Sequence, residues 1–461
     1  MTDRLLVIGG DAAGMTAAST AKRLAGDALE VVVLERGDWT SYSACGIPYW
    51  IAGDVKDHHD LVARTPAEHR ERGLDVRTRT TAVAVDLDAR TVTARDEHGV
   101  ETTLDFDHLL VATGAEPVRP PLPGIDAQGV LGVQTLDDGL KVLAELERDP
   151  RRVVVVGSGY VGLEMAEACL RHGSEVTVLE RSTEPLGLLD PDLGAQVADA
   201  VRALGVELVA GTTVTGFRTG PDGRVTGVET DGGVHDADLV VLGLGVTARS
   251  ELVADAVELG AKGGIVVDEH QAVPGHDRVW AAGDCVVTRH RLTGELVHVP
   301  LGTHANKQGL VAGRAIAAAV TGDDSLRGVP FAGVVGTAIT KVCDLEIAVT
   351  GLSESAARDA GLDPVVATIE STTSAGYFPG AEQLTLRLVV DRGSRLPVGA
   401  QIVGRQGAGW RIDTLAMALW TSTTVDDLAM TDLAYAPPFS SVWDPVQVAA
   451  RVAARRLGTM V

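Results

Sequence analysis

Two parallel-sheet α/β domains, one inserted in the other, and a smaller C-terminal α+β domain are the architecture that this sequence predicts. Three observations predict it. Glycine-rich turns at 9–14 and 157–162 each follow a continuous apolar run and open an apolar helical pattern, so each reads as strand, turn and helix. Each unit continues into a second apolar run that ends on an acid, Glu35 in one and Glu180 in the other. Beyond about residue 328 the pattern becomes alternating apolar and polar runs, the period of an antiparallel sheet.

The 461 residues suit about three domains. Hydrophobic residues make up 45% of the chain, yet no apolar run nears the roughly 18 residues of a membrane span. The N-terminus enters a strand directly, without the charged, apolar and cleavage regions of a signal peptide. Together with four cysteines that form no C-x-x-C or C-x4-C pair, this points to the reducing cytoplasm. A formal net charge of −23 argues against the basic stripe that nucleic acid requires. Neither nucleic acid nor membrane is expected as a partner, and no metal site is expected.

In the first unit, 4–9 is a strand, Gly9, Gly10, Asp11, Ala12, Ala13 and Gly14 make the turn, a helix runs to about Leu24, and a strand spans 29–34 before Glu35. Glycines let the backbone approach a pyrophosphate at the helix N-terminus, and the acid takes the ribose hydroxyls. This is a Rossmann-like dinucleotide fingerprint. Asp11 stands where the middle glycine of the pattern belongs. The second copy is cleaner: strand 153–156, then Gly157, Gly159 and Gly162, a helix to Arg171, and strand 175–179 before Glu180.

Two copies imply two dinucleotides. Segments 109–115 and 279–284 mark the first as FAD, because each ends a strand-like run on small residues and the Asp284 carboxylate suits a flavin ribitol hydroxyl. Asp284 lies beyond the second fingerprint, so the FAD domain is read as discontinuous, 1–119 and 248–327, with the NAD(P)H domain at 120–247 between. Proline-rich 117–123 marks the outgoing linker and 242–246 the return. The third domain, 328–461, is expected to hold strands at 333–342, 384–390 and 398–403 and helices near 411–422 and 445–457.

Cys45, in the stretch Ser41-Tyr42-Ser43-Ala44-Cys45-Gly46-Ile47-Pro48, stands alone just after the first fingerprint. Cys169, Cys285 and Cys343 lie in apolar periodic sequence and supply no partner spacing. Cys45 is thus expected to act as a single sulfur, cycling between thiolate and a mixed disulfide, persulfide or sulfenic acid. The alternative is a small buried hydrophobe.

These features, together with 300–309, the Gly376-Tyr377-Phe378-Pro379-Gly380 segment and Tyr435-Ala436-Pro437-Pro438-Phe439, resemble the pyridine nucleotide-disulfide oxidoreductases over the whole chain. Within them the single-cysteine branch of coenzyme A disulfide reductases, NADH oxidases and persulfide reductases is the nearest. The resemblance implies a glutathione-reductase-like α/β fold with two Rossmann-like domains and a C-terminal α+β dimerisation domain. It also implies a homodimer in which Tyr377 and Tyr435 reach the partner's Cys45, those three being the catalytic residues.

For FAD the resemblance implies Gly9, Gly10, Ala13, Gly14, Glu35, Arg36, Ser43, Ala82, Ala112, Thr113, Gly114, Gly283, Asp284, Pro300 and Leu301. For the nicotinamide dinucleotide it implies Gly157, Gly159, Tyr160, Val161, Gly162, Glu164, Glu180, Arg181 and Gly245. Tyr160 is read either as a cover for the flavin face or as a packing aromatic. Glu180 favours NADH because its carboxylate repels a 2′-phosphate, with NADPH as the alternative beside Arg181. For the substrate it implies Thr16, Thr20, Lys22, Arg23, Ser41, Arg64, Arg72, Asn306 and Trp443.

The expected activity is FAD-dependent NAD(P)H reduction of a low-molecular-weight disulfide of the coenzyme A disulfide type. Some positions depart from that subtype: Ala44 stands where asparagine is common, and the first helix lacks the usual glutamine. Ala12 replaces the histidine of peroxidase and oxidase relatives. The alternatives are an NADH oxidase using oxygen, a persulfide or polysulfide reductase, and a flavoprotein redox sensor or electron donor that does not turn over.

Overall fold

The computed structural model describes residues 2–459. The chain forms two compact units. One comprises the chain up to Val118, Gly132–Ala144 and Gly245–Val334; the other comprises Arg119–Leu131, Glu145–Leu244 and the chain from Val335 onward.

The first unit is built on a parallel sheet ordered Val279–Ala281, His108–Val111, Asp3–Ile8, Leu29–Leu34 and Asp75–Arg77. Side chains alternate across a strand, and both faces here are covered, which explains the unbroken apolar runs. Leu5 and Val7 join the core beneath helices Ala12–Ala25 and Gly302–Thr321, whereas Leu6 and Ile8 join Val92, Ala94 and Phe106 on the other side. The two helices cross on small residues. A Cβ on Gly313 would stand 2.6 Å from the Ala17 carbonyl oxygen, and one on Gly309 would collide with that of Ala13.

Segment 132–144 falls in this first unit although it lies in the sequence range expected for the inserted domain. Trp39 Nε1 donates to Asp137 Oδ1 at 3.2 Å, and Gly139 leaves room for the Trp50 ring.

The second unit holds a sheet ordered Glu207–Ala210, Glu175–Glu180, Arg152–Val156, Leu239–Leu242 and Val130–Gly132, with parallel pairing among the first four. It also holds an antiparallel sheet ordered Ala338–Val342, Leu345–Gly351, Pro397–Gly404, Gln383–Asp391 and Pro364–Thr372. Strands Leu345–Gly351 and Pro364–Thr372 were not among the expected elements. Helices Ile412–Trp420, Val425–Met430 and Pro445–Arg456 share a core with this sheet. Arg387, on the sheet, meets Asp190 Oδ2 at 3.0 Å and Asp192 Oδ2 at 2.5 Å, and Gln401 also bonds Asp190. A buried guanidinium requires such pairing to offset its desolvation.

Among the described residues, no helix is long and apolar enough to cross a membrane.

Candidate active site

In the first unit, the site residues gather at the carboxyl ends of the parallel strands, where open α/β sheets hold ligands. Gly9 N donates to Leu34 O at 2.9 Å, Ala112 N to Ile8 O at 2.8 Å and Ala282 N to Val111 O at 3.1 Å, which brings the three expected FAD segments side by side. Gly9 has φ 112°, and an added Cβ would collide with the Ala112 carbonyl oxygen, so this crossing requires glycine. Glu35 Oε2 accepts from Gly10 N and Oε1 from Gly37 N, each at 2.7 Å.

Helix Ala12–Ala25 has no side-chain cap and no acid in its first turn, which leaves its N–H groups open to an anion. Thr113 Oγ1 donates to the Arg249 carbonyl, and Gly283 N donates to Gln308 Oε1 at 2.9 Å. Asp284 is pushed up to about 6 by burial, and His298 Nε2 bonds its carbonyl oxygen at 2.7 Å. Leu301, after Pro300, is the N-cap of Gly302–Thr321. Ala82 lies half-buried on strand Thr81–Asp86, and Arg36 is exposed just past Leu29–Leu34. This arrangement of glycine crossings, open helix N–H groups and flanking carboxylates fits a bound FAD.

Cys45 sits in a single 3-10 turn, Ala44–Gly46, and is exposed. Burial pushes the other thiols up, Cys169 to about 12, Cys285 to about 11 and Cys343 to about 12. The segment carrying Cys45 is tied to the glycine turn by Ser41 N to Gly10 O at 3.3 Å and Tyr42 N to Asp11 Oδ1 at 3.0 Å. Ser43 N donates to Leu61 O at 2.9 Å.

Asp11 therefore has a structural task that the glycine pattern does not disclose. Its carboxyl is pushed up to about 7, chiefly by burial and further by Glu35, against the opposing bond from Tyr42. A carboxyl that stays protonated in the fold while it ionises in the unfolded chain loses stability as pH rises from about 4 to about 7. Asp11→Asn removes that loss. The variant is expected to gain on the order of 2–3 kcal/mol relative to the parent between pH 5 and pH 8, at ~1.36 kcal/mol per pH unit. Urea denaturation of both proteins at the two pH values measures it.

Some expected substrate residues meet and others are otherwise engaged. Thr16 Oγ1 bonds Asn306 Oδ1 at 3.1 Å on the exposed side of the helix crossing. Thr20 is buried against Gly313, and Lys22 Nζ is occupied by the carbonyls of Gly26 and Leu29 at 3.0 and 2.8 Å, so it tethers the helix end. Arg23 and Arg72 are exposed and Arg64 is half-buried. Asp57, His58 and His59 place three ligand-type atoms within 4.8 Å of one another. Asp57 Oδ1 there accepts from His59 N and pairs with His59 Nδ1 at 2.7 Å, a cap for the short turn His58–Leu61.

In the second unit, Gly157 N donates to Leu179 O at 2.8 Å and Gly243 N to Val156 O at 2.7 Å. A Cβ on Gly162 would collide with the Gly157 carbonyl oxygen, whereas one on Gly159 would meet nothing closer than 3.9 Å. Gly159 is thus the open side of the turn, with Val161 exposed next to it. Glu180 accepts from Ser158 N, Ser158 Oγ and Ser182 N at 2.9, 2.6 and 2.7 Å. Burial opposes its ionisation, but these bonds outweigh it and hold the carboxyl below its usual range. Arg181 beside it is exposed. Tyr160 is pushed up to about 12 by burial and then by the Glu164 charge; Glu164 itself accepts from Thr340 Oγ1 at 2.6 Å.

Tyr377 and Tyr435 come together. The Tyr435 hydroxyl donates to that of Tyr377, a bond that raises its pKa, yet the rings are 77% and 46% exposed. Their loops are joined by Ala375 N to Pro437 O at 2.9 Å and by Arg411, whose Nη2 reaches Thr373 O and Phe439 O at 2.8 and 3.1 Å. Arg411 was not recognised in the sequence, where nothing distinguishes it from other surface arginines. Trp443 is covered by the Arg451 guanidinium, 4.3 Å from the ring centroid.

Residues 3–309 match the pyridine nucleotide-disulphide oxidoreductase family, and 337–446 match its dimerisation domain. The chain belongs to the pyridine nucleotide-disulphide oxidoreductase family. It is an oxidoreductase whose cofactors are FAD and NAD(P)H, and the dimerisation domain supports a homodimer. A Pyrococcus furiosus protein named NAD(P)H sulfur oxidoreductase (CoA-dependent) is 37% identical over 97% of this chain and 98% of its own. A Methanocaldococcus jannaschii protein named NADH oxidase is 34% identical over 98% of this chain and 99% of its own. The solved NAD-dependent persulfide reductase from A. fulgidus superposes with a TM-score of 0.92 at 36% identity, covering 99% of this chain and 84% of that one.

Proposed function

We propose that this protein is a cytoplasmic NAD(P)H-dependent reductase of a low-molecular-weight disulfide of the coenzyme A disulfide type, working through Cys45 alone. The observation that carries the reading is that Cys45 is the exposed sulfur of four, held on a segment laced to the FAD-side glycine turn. Residues 1–119 and 248–327 serve FAD, 120–247 the nicotinamide dinucleotide, and 328–461 the dimer. FAD, when bound, relays the hydride's electron pair from the nicotinamide to sulfur.

The chain's own residues do the rest. Glu180, ionised and fixed by Ser158 and Ser182, receives the ribose hydroxyls and favours NADH. The Cys45 thiolate attacks one substrate sulfur, forms a mixed disulfide and expels the other as a thiolate, which takes a proton to leave as the first thiol. The electron pair then cleaves the mixed disulfide, returns Cys45 to thiolate and releases the second sulfur as a thiolate, which takes a proton to become the second thiol. Tyr377 and Tyr435 from the partner supply hydroxyl protons and hydrogen bonds to the leaving sulfur.

A second reading, reduction of a persulfide or polysulfide by the same sulfur, is favoured by the names of the A. fulgidus and P. furiosus relatives. Initial rates of NADH oxidation with CoA disulfide, cystine, CoA persulfide, polysulfide and oxygen test both. The expected result is a CoA disulfide rate at least about tenfold above that with oxygen. A persulfide or polysulfide rate exceeding every disulfide would select the second reading, and a dominant oxygen rate would remove both.

A further inference from the structure

His69 lies on the short helix Pro66–Glu71, which a capping box of Thr65 and Glu68 holds in place. Its ring is 0% exposed, and Nε2 lies 3.0 Å from Ser41 Oγ. The other nitrogen, Nδ1, is buried without a protein partner. Burial, and then the charges of Arg64 and Arg72, push its pKa down to about 4, so the imidazole is neutral through the physiological range.

A neutral ring has one N–H. Placing it on Nδ1 would bury an unsatisfied donor, and placing it on Nε2 leaves only a bare lone pair. The favoured tautomer thus donates from Nε2 to Ser41 Oγ. Ser41 makes no other side-chain hydrogen bond among the described residues, so its own proton is free for an outside acceptor.

Ser41 is half-buried and has φ 49°, a conformation that favours glycine. Three bonds hold it there: Ser41 N to Gly10 O, Ala63 N to Ser41 O at 2.8 Å, and the imidazole. Backbone strain in a segment that ends four residues later in the reactive cysteine marks a side chain held for use.

We propose that His69 is a positioning and specificity residue that turns the Ser41 hydroxyl into an outward donor for a carbonyl oxygen near the substrate sulfur. The inference rests on the disulfide reading above and assigns to the His69–Ser41 pair the recognition of the acyl oxygen that a disulfide of the coenzyme A type carries close to sulfur. A site built around such a bond discriminates against an analogue that lacks the acceptor.

The matched probes are N,N′-diacetylcystamine, which has the carbonyl, and cystamine, which lacks it. In the FAD-loaded dimer, His69→Phe and Ser41→Ala are each expected to lower the kcat/KM ratio of the acylated over the free disulfide by about tenfold, the worth of one neutral hydrogen bond. The double variant is expected to fall no further, because the two residues act as one unit. His69→Gln, which restores a donor, is expected to recover part of the ratio. An unchanged ratio in Ser41→Ala, or additive losses in the double variant, would overturn the proposal. Selective ¹⁵N-histidine spectra at pH 6–8 give a readout independent of turnover. A neutral Nε2–H signal that shifts in Ser41→Ala is expected whether or not any disulfide is reduced, and an Nδ1–H signal overturns the assignment.

Discussion

Cys45→Ser abolishes disulfide turnover, by at least about 10³-fold, while NADH still reduces the bound flavin: this is the largest effect expected for a single substitution. Hydride delivery uses the second dinucleotide site and requires no sulfur. Reduction of a disulfide requires a thiolate that a substrate can reach, and a serine hydroxyl is not ionised near neutral pH. No other cysteine takes over. Cys169 and Cys285 are buried, and burial pushes the thiols of Cys169, Cys285 and Cys343 up to about 12, 11 and 12. Stopped-flow absorbance separates the half-reactions, and steady-state NADH oxidation with CoA disulfide reads the whole cycle. Full disulfide turnover in the variant would make Cys45 structural and remove the proposed mechanism.

The second large effect is recovery of activity by mixing two dead proteins. Cys45→Ser chains and Tyr377→Phe/Tyr435→Phe chains are each expected to form inactive homodimers. In a heterodimer, one site combines an intact Cys45 with intact tyrosines from the other chain, so about half the wild-type rate per dimer is expected. The tyrosine pair is largely exposed although its members are hydrogen-bonded. It lies in the region that matches the dimerisation domain, among the exposed side chains Phe439, Val442 and Trp443. Exposed aromatics of this size are suited to a partner surface. Differently tagged chains, co-expressed and purified through both tags, give the heterodimer. Absence of activity in that verified species would remove the cross-subunit role of the tyrosines.

Features that depend on neighbours along the chain were legible in the order of residues. Unbroken apolar runs such as 5–8 and 153–156 become strand residues buried on both faces, and the glycines after them permit crossings that a Cβ would block. The solitary Cys45 was equally legible, since a missing C-x4-C partner is a property of spacing alone. The hydrogen-bond partners, by contrast, are set by folding. Ser41 with His69, Tyr377 with Tyr435, Thr16 with Asn306 and Thr340 with Glu164 are joined across long stretches of chain, and periodicity cannot indicate which distant polar groups will face each other. Lys22, a free cation on the page of sequence, is consumed by two carbonyls at a helix end. Asp11, a mere departure from a glycine pattern, becomes a half-buried acid that stays protonated, because desolvation is set by everything that packs around a residue, and its ionisation follows from that desolvation.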